Sequence, residues 1–494
     1  SADNLFDAWY SNALASHIAN SDPAVRRVFE SWKQLTPNAL VSNLEKNEDL
    51  KTALLQETPW VLEAKEESAN KRKIGLYFDR NNLENNLEQN LDLLKKLQLP
   101  SGGWAWFEGM PENRWVTQEI MTGFGRLHHL GVTDITGNLK TLSMLESMLG
   151  YLDSELVKDY ENIKKYYPGK MDDNHLSAIQ VHYLYARSFF NSQFPVHSSQ
   201  PNDERGVQSA EFQQAWQYFS DQAARYWLSQ DLSVQAMIAL ALDRLGDTKT
   251  PAAILRSLKE KALHSSELGM YWAVSPGYLW SQAPVETQAM LIEAFQEAGQ
   301  DQKSVDDMNV WLLKQKQTQM WKSRRATADA CYALLLRGTD QLATDPGIKI
   351  RIGSQEIDPS SLNDHQAEAG TGYFRVTWNG SEITPDLANI TVTKSTEGIA
   401  WGGLYWQYFE NLDQIKQQQT PLKVKREIYV QKNTGKGPAM EKIPDSGCRM
   451  GDKITVRIIL TVDRDMEFVH MKDMRAAGFE PLLTTSPPHH LTTY

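Results

Sequence analysis

Five helix-forming units of one kind recur between residues 115 and 338, four of them closed by a glycine. Trp115 leads VTQEIMTGFGRLHHLG to Gly131, and Leu176 opens SAIQVHYLYARSFF. Leu232 opens SVQAMIALALDRLG to Gly246, Val285 opens ETQAMLIEAFQEAG to Gly299, and Arg325 opens ATADACYALLLRG to Gly338. The spacing, roughly 40 to 60 residues, is that of a helical hairpin. A lone hairpin cannot bury its apolar face, so such units stack as an open solenoid or close into a toroid. LFDAWYSNALASHI, VRRVFESWKQL (residues 25–35) and LEQNLDLLKKLQL repeat apolar residues three and four apart, which extends the helical reading back to residue 1.

Loops rich in Trp precede three of the units: Trp104 and Trp106, then Trp272 and Trp280, then Trp321. The first loop, LPSGGWAWFEGMPENRW, runs from Leu99 to Trp115. Gly102 and Gly103 permit a turn at positive φ, which suits a corner between helices. The aromatics then fill the corner, so Trp104, Trp106 and Trp115 are expected to be buried by packing and to line no cleft.

Beyond about residue 343 the period changes from three or four to two. IKIRI, GYFRVTW, ITVTK, VKREIYV and ITVRIILTV are rich in Val, Ile and Thr and read as strands. Asn379-Gly380 reads as a hairpin turn, and KQQQTP (residues 416–421) as a linker between two β units.

The net charge of −11 argues against nucleic acid or an anionic membrane as partner. The two cysteines, Cys331 and Cys448, sit in no Cys/His cluster, so neither a metal nor another cofactor is expected. No apolar run is long enough to span a bilayer. The start, SADNLFDAWY, carries no signal-peptide pattern. No nucleophile-elbow, phosphate-loop or metalloprotease motif occurs.

Particular segments resemble bacterial α2-macroglobulin-like proteins, relatives of the complement C3 type. Gly102-Gly103-Trp104 with Trp106, followed by Trp115-Val116-Thr117, is similar to the family's Gly-Gly-aromatic corner and the helix start after it. GIAWGGLYWQYFE (residues 398–410) is similar to the strand closing a CUB-like module. GDKITVRIILTVDRDMEFVHMKDMRAAGFEP (residues 451–481) resembles the terminal macroglobulin domain and is the most specific match. The resemblance implies a multidomain α plus β chain. Residues 1–342 would form a thioester-type α/α toroid of six helical hairpins, residues 343–420 a CUB-like β module, and residues 421–494 a terminal macroglobulin-like β domain that is incomplete at Tyr494. It further implies a non-enzymatic, periplasmic or cell-surface trap for proteases, acting through an intact protein with a bait region upstream. Other cell-envelope proteins are further candidate partners.

Covalent members of that family carry Cys-x-Glu-Gln, whose sulfur and carbonyl form a thioester. Trp9-Tyr10-Ser11-Asn12 resembles the residues after that motif, which places Ser1, Ala2, Asp3 and Asn4 on it. A Ser/Asn pair lacks the required thiol, so the resemblance implies a thioester-less member. Asn86-Leu87-Glu88-Gln89 imitates the motif but also lacks sulfur.

Asp172, Asp173 and His175 could ligate a metal, but Asp172 to Asn174 precede an apolar-periodic helix and read as N-cap material. His128-His129 falls at a helix end, where the dipole suits a cation, and Lys322 to Arg325 reads as a solvated basic loop. Two other function classes fit the helical half: an α/α-toroid lyase, cyclase or transferase, or a helical adhesion or scaffolding module. Paired acidic residues at the centre of the helices would favour the enzyme.

Overall fold

The computed structural model describes residues 1–21, 80–133, 137–192, 194, 210–274, 283–318, 321, 323–337, 347–357, 373–395, 400, 402–406, 408–411, 414, 422–435, 437–444, 447–462, 469, 471, 473, 475, 477–480 and 482. By their contacts these residues fall into two units, one ending at Gly402 and one beginning at Gly403.

The first unit is built on eleven described α-helices. They are α1 (Ala2–Ser21), α2 (Arg80–Leu97), α3 (Arg114–His129), α4 (Leu139–Tyr166), α5 (Ala178–Ser188) and α6 (Ala210–Tyr226). There follow α7 (Leu232–Arg244), α8 (Lys249–Glu260), α9 (Pro284–Glu297), α10 (Gln302–Thr318) and α11 (Arg324–Leu335). The five recurrent sequence units are α3, α5, α7, α9 and α11.

Burial separates the odd-numbered helices from the even ones. Every residue of α5 from Gln180 to Ser188, of α7 from Ser233 to Leu242 and of α9 from Thr287 to Phe295 is buried. A helix buried all round lies in the core. On α4, by contrast, the buried residues Met144, Leu145, Met148, Leu149, Leu152 and Leu156 follow the three-and-four spacing of one face. Contacts follow the same division. The odd helices pack in the cyclic order α1, α3, α5, α7, α9, α11 and back to α1, while α2, α4, α6, α8 and α10 pack against α1, α3, α5, α7 and α9 respectively.

The connection from α2 to α3 is the Gly-Gly-Trp loop. Gly102 has φ +97°, and a Cβ there would lie 2.0 Å from the Ser147 carbonyl oxygen of α4, so only glycine fits. Trp104 is fully buried, its Nε1 donating to the Leu94 carbonyl of α2 at 2.9 Å. Its backbone N–H donates to Thr117 Oγ1 at 3.0 Å. The connection from α8 to α9 repeats this design through the hairpin β1 (Leu263–Ser265) and β2 (Gly269–Tyr271). Gly269 has φ +69°, its Cβ position lies 2.1 Å from the Asp307 carbonyl oxygen of α10, and Trp272 Nε1 donates to the Leu258 carbonyl of α8 at 2.9 Å. In both places an indole donates to a carbonyl in the last turn of a helix, where carbonyls lack the regular intrahelical partner; the Leu258 carbonyl also accepts from the Lys261 N–H at 3.2 Å.

Downstream in the first unit, β3 (Ile348–Ile352) pairs antiparallel with β4 (Gln355–Ile357) and β5 (Ile390–Lys394), with Ile350 opposite Val392. The second unit contains a sheet ordered β7-β6-β8, made of β6 (Leu422–Thr434), β7 (Gly437–Lys442) and β8 (Lys453–Val462), with Val430 opposite Ile454.

Several local expectations need correction. Residues 373–378 of GYFRVTW form no extended strand. Asn379-Gly380 is no hairpin turn: Asn379 caps a 3-10 turn over Gly380–Glu382, its N–H donating to Glu382 Oε2 at 2.6 Å. The described residues of GIAWGGLYWQYFE are not in a strand, and Leu404, Trp406, Tyr408 and Phe409 are exposed. Residues 25–35, Trp280, the 416–421 linker and the tail from residue 483 lie outside the described residues.

Candidate functional site

The odd helices carry charged side chains into the centre of their cycle. Glu293 of α9 is fully buried. Its Oε1 accepts from Arg244 Nη2 of α7 at 2.9 Å, and its Oε2 accepts from the Tyr185 hydroxyl of α5 at 2.6 Å. Arg126 of α3 reaches Glu293 at 3.4 Å and pairs with Asp329 of α11. Its guanidinium lies 4.7 Å from the Tyr332 ring centre. Thus α3, α5, α7, α9 and α11 are tied by one network. A charge is tolerable in a core only when paired and hydrogen-bonded in this way.

One to two helical turns toward the helix starts lies a second layer. Arg325 of α11 donates to Glu119 of α3 at 2.7 Å and lies 3.6 Å from Asp329. His182 of α5 is buried, 3.0 Å from Thr122 Oγ1 and 3.6 Å from Glu119. Burial pulls the His182 imidazole down to about 4, so it is neutral at pH 7. Although burial opposes it, the Arg325 guanidinium holds the Glu119 carboxyl below its usual range. Asp7 of α1 is pushed up to about 6, first by burial and then by the carboxylates of Asp3, Glu119 and Asp329 against the pull of Arg325. Near the helix ends, Arg244 grips Glu297 at 2.6 and 2.7 Å, and His129 lies 3.9 Å from Glu297.

Between the layers is a cavity of about 20 Å³, lined among others by Thr122, His182, Ser233, Glu286, Thr287 and Asp329. That volume admits roughly one water molecule. Ser233 Oγ is buried there without a hydrogen-bond partner among the described residues. The acids at the centre, Glu293 and Asp329, face the guanidinium groups of Arg244, Arg126 and Arg325.

The residues singled out in the sequence lie elsewhere. Ser1 and Asn4 are exposed at the start of α1, with Asn4 Nδ2 donating to Ser1 Oγ at 2.9 Å, while Ala2 is buried and Asp3 half-buried. Trp106 is 36% exposed, contrary to expectation, because the residues after Trp104 leave the corner. It stacks on half-buried Trp115 with ring centres 5.6 Å apart, and Arg325 lies 5.4 Å from the centre of the Trp115 ring. Asp172 and Asp173 are exposed, and Asp172 pairs with Arg225 at 3.0 Å. The N-cap of α5 is Ser177, whose N–H donates to Gln180 Oε1 at 3.0 Å, so Asp172 to Asn174 do not cap it. His175 Nε2 contacts the Lys170 carbonyl at 2.9 Å. No group of three or more metal-ligating side chains occurs among the described residues. Arg325 belongs to α11 and its ion pairs, not to a solvated loop.

The family model described as Bacterial Alpha-2-macroglobulin MG10 domain matches residues 422–487, a span that includes β6, β7 and β8. The match supports an α2-macroglobulin-like family member. No curated protein matches the chain. Among the described residues no helix is long and apolar enough to cross a membrane.

Proposed function

We propose that this chain is the C-terminal part of a bacterial α2-macroglobulin-like protein that traps proteases by conformational enclosure, without a thioester. The observation that carries the reading is the MG10 match at residues 422–487. It stands downstream of helices whose odd members contact one another in a cycle closed from α11 to α1. On this reading residues 1–342 are a closed α/α toroid, residues 343–420 a CUB-like module, and residues 421–494 the terminal macroglobulin-like domain. The Gly102, Gly103, Trp104, Trp106, Trp115 corner is structural.

Support for a non-covalent mechanism comes from the start of α1. The Ser1 and Asn4 side chains touch, as the reacting pair of a thioester would, but neither carries sulfur. Partners are then proteases met by the intact protein in the periplasm or at the cell surface. The test uses the complete reading frame that encodes this chain. After incubation with an active protease, cleavage of a folded protein substrate should fall while cleavage of a short peptide substrate persists. Equal loss of both, or of neither, contradicts enclosure.

A further inference from the structure

Ser233 stands near the start of α7, 4% exposed, on the wall of the cavity between the two layers. Its hydroxyl has no hydrogen-bond partner among the described residues. A hydroxyl withdrawn from water and left unbonded costs stability, so nearly all buried polar atoms are satisfied by protein or by an ordered water. The cavity supplies the other partners that such a water needs. Thr122 of α3 donates its hydroxyl hydrogen to the Gln118 carbonyl at 2.9 Å, which leaves its oxygen an acceptor on that wall. Asp329 of α11 offers a carboxylate with about four acceptor positions. Arg126 takes one of its oxygens, and Arg325 lies 3.6 Å from the other. Glu286 of α9 lines the same space, and its Oε1 accepts from Ser323 Oγ at 3.2 Å.

The walls also define the guest. At about 20 Å³ the space holds one molecule the size of water. Its lining sets Arg126 and Arg325 against Asp329 and Glu286, with His182 neutral. A cation or an anion entering it would therefore meet two groups of its own sign. The carboxylates call for a donor and the Ser233 hydroxyl can give or accept, which a water molecule answers on both counts. We propose that the cavity is a binding site for a single water molecule, anchored by Ser233, that couples the start of α7 to the charged layer of α3 and α11. The same helix meets the charge network again about three turns further on, where Arg244 pairs with Glu293 and Glu297. The water thus fastens the first turn of α7, as the ion pairs fasten its last. This site stands whether or not the chain serves to trap proteases.

Two measurements on the full chain test it. The first is a crystal structure grown without ammonium, at a resolution that shows other buried waters. One density peak should lie within hydrogen-bond distance of Ser233 Oγ, about 2.5–3.0 Å. No peak there, or one whose oxygen neighbours lie closer than about 2.5 Å and so mark a cation, overturns the proposal. The second is magnetic relaxation dispersion of the water oxygen nucleus, which counts long-lived internal waters in solution. Ser233→Val removes the hydroxyl and places a methyl in the space, so the folded variant should hold one long-lived water fewer than wild type. Equal counts overturn the proposal, and if the valine variant does not fold, the wild-type density decides alone.

Discussion

Trp104 and Trp106 are two residues apart and do opposite things. Trp104 buries its whole indole and ends α2 with a hydrogen bond, whereas Trp106 lies at the surface on Trp115. Trp104→Ala should therefore cost about 3–5 kcal/mol in urea unfolding, and Trp106→Ala less than about 1 kcal/mol. Equal losses would contradict the corner geometry. Arg126→Leu leaves Glu293 to Arg244 and Tyr185 and Asp329 to the more distant Arg325, and should cost about 3 kcal/mol, since removing one cation from a buried ion network is strongly destabilising. His182, held down to about 4, loses stability for the fold as pH drops from about 6.5 toward 4, because the unfolded imidazole takes a proton that the folded one refuses. His182→Gln should flatten that acid limb by up to about 3 kcal/mol. None of these central charges was read from the sequence. Arg126, Glu293 and Asp329 look like the solvated face of an amphipathic helix until their neighbours are known to be buried on every side. The available signal was their position inside stretches otherwise too apolar for a surface helix, as in IEAFQE and TADACYA.

At the scale of elements, periodicity carried the helices well. The odd-numbered helices α3 to α11 begin within two residues of the units read from Trp115, Leu176, Leu232, Val285 and Arg325. Long segments with one clear period leave little ambiguity. Short β segments were read less well: IKIRI, ITVTK, VKREIYV and ITVRIILTV lie in strands, while GYFRVTW and the described part of GLYWQYFE do not. Alternation and aromatic content show that a segment can pair, but pairing also needs a neighbour in register, which local sequence does not supply. Amides of β8, bonded along β6 from Lys453 to Val462, should consequently exchange much more slowly than those of residues 402–406. Equal protection of the two segments would mean that the aromatic segment is a strand after all.

For the whole molecule, the order of long helices followed by small sheets was legible from the change of period near residue 343. The closing contact between α1 and α11 was expected only through the family resemblance, because no local pattern encodes a meeting of the two ends of a helical array. The family resemblance rested on the strand and turn sequence of residues 451–481, which falls within the matched span 422–487. What most separates the proposed trap from covalent relatives is the chemistry at the start of α1, where Ser1 meets Asn4. Intact mass before and after methylamine, with parallel titration of free thiols, reads that chemistry directly. The mass should be unchanged, and the thiols of Cys331 and Cys448, which form no disulfide, should account for the titre both before and after treatment. A gain of one methylamine adduct together with a newly released thiol would contradict a thioester-less protein.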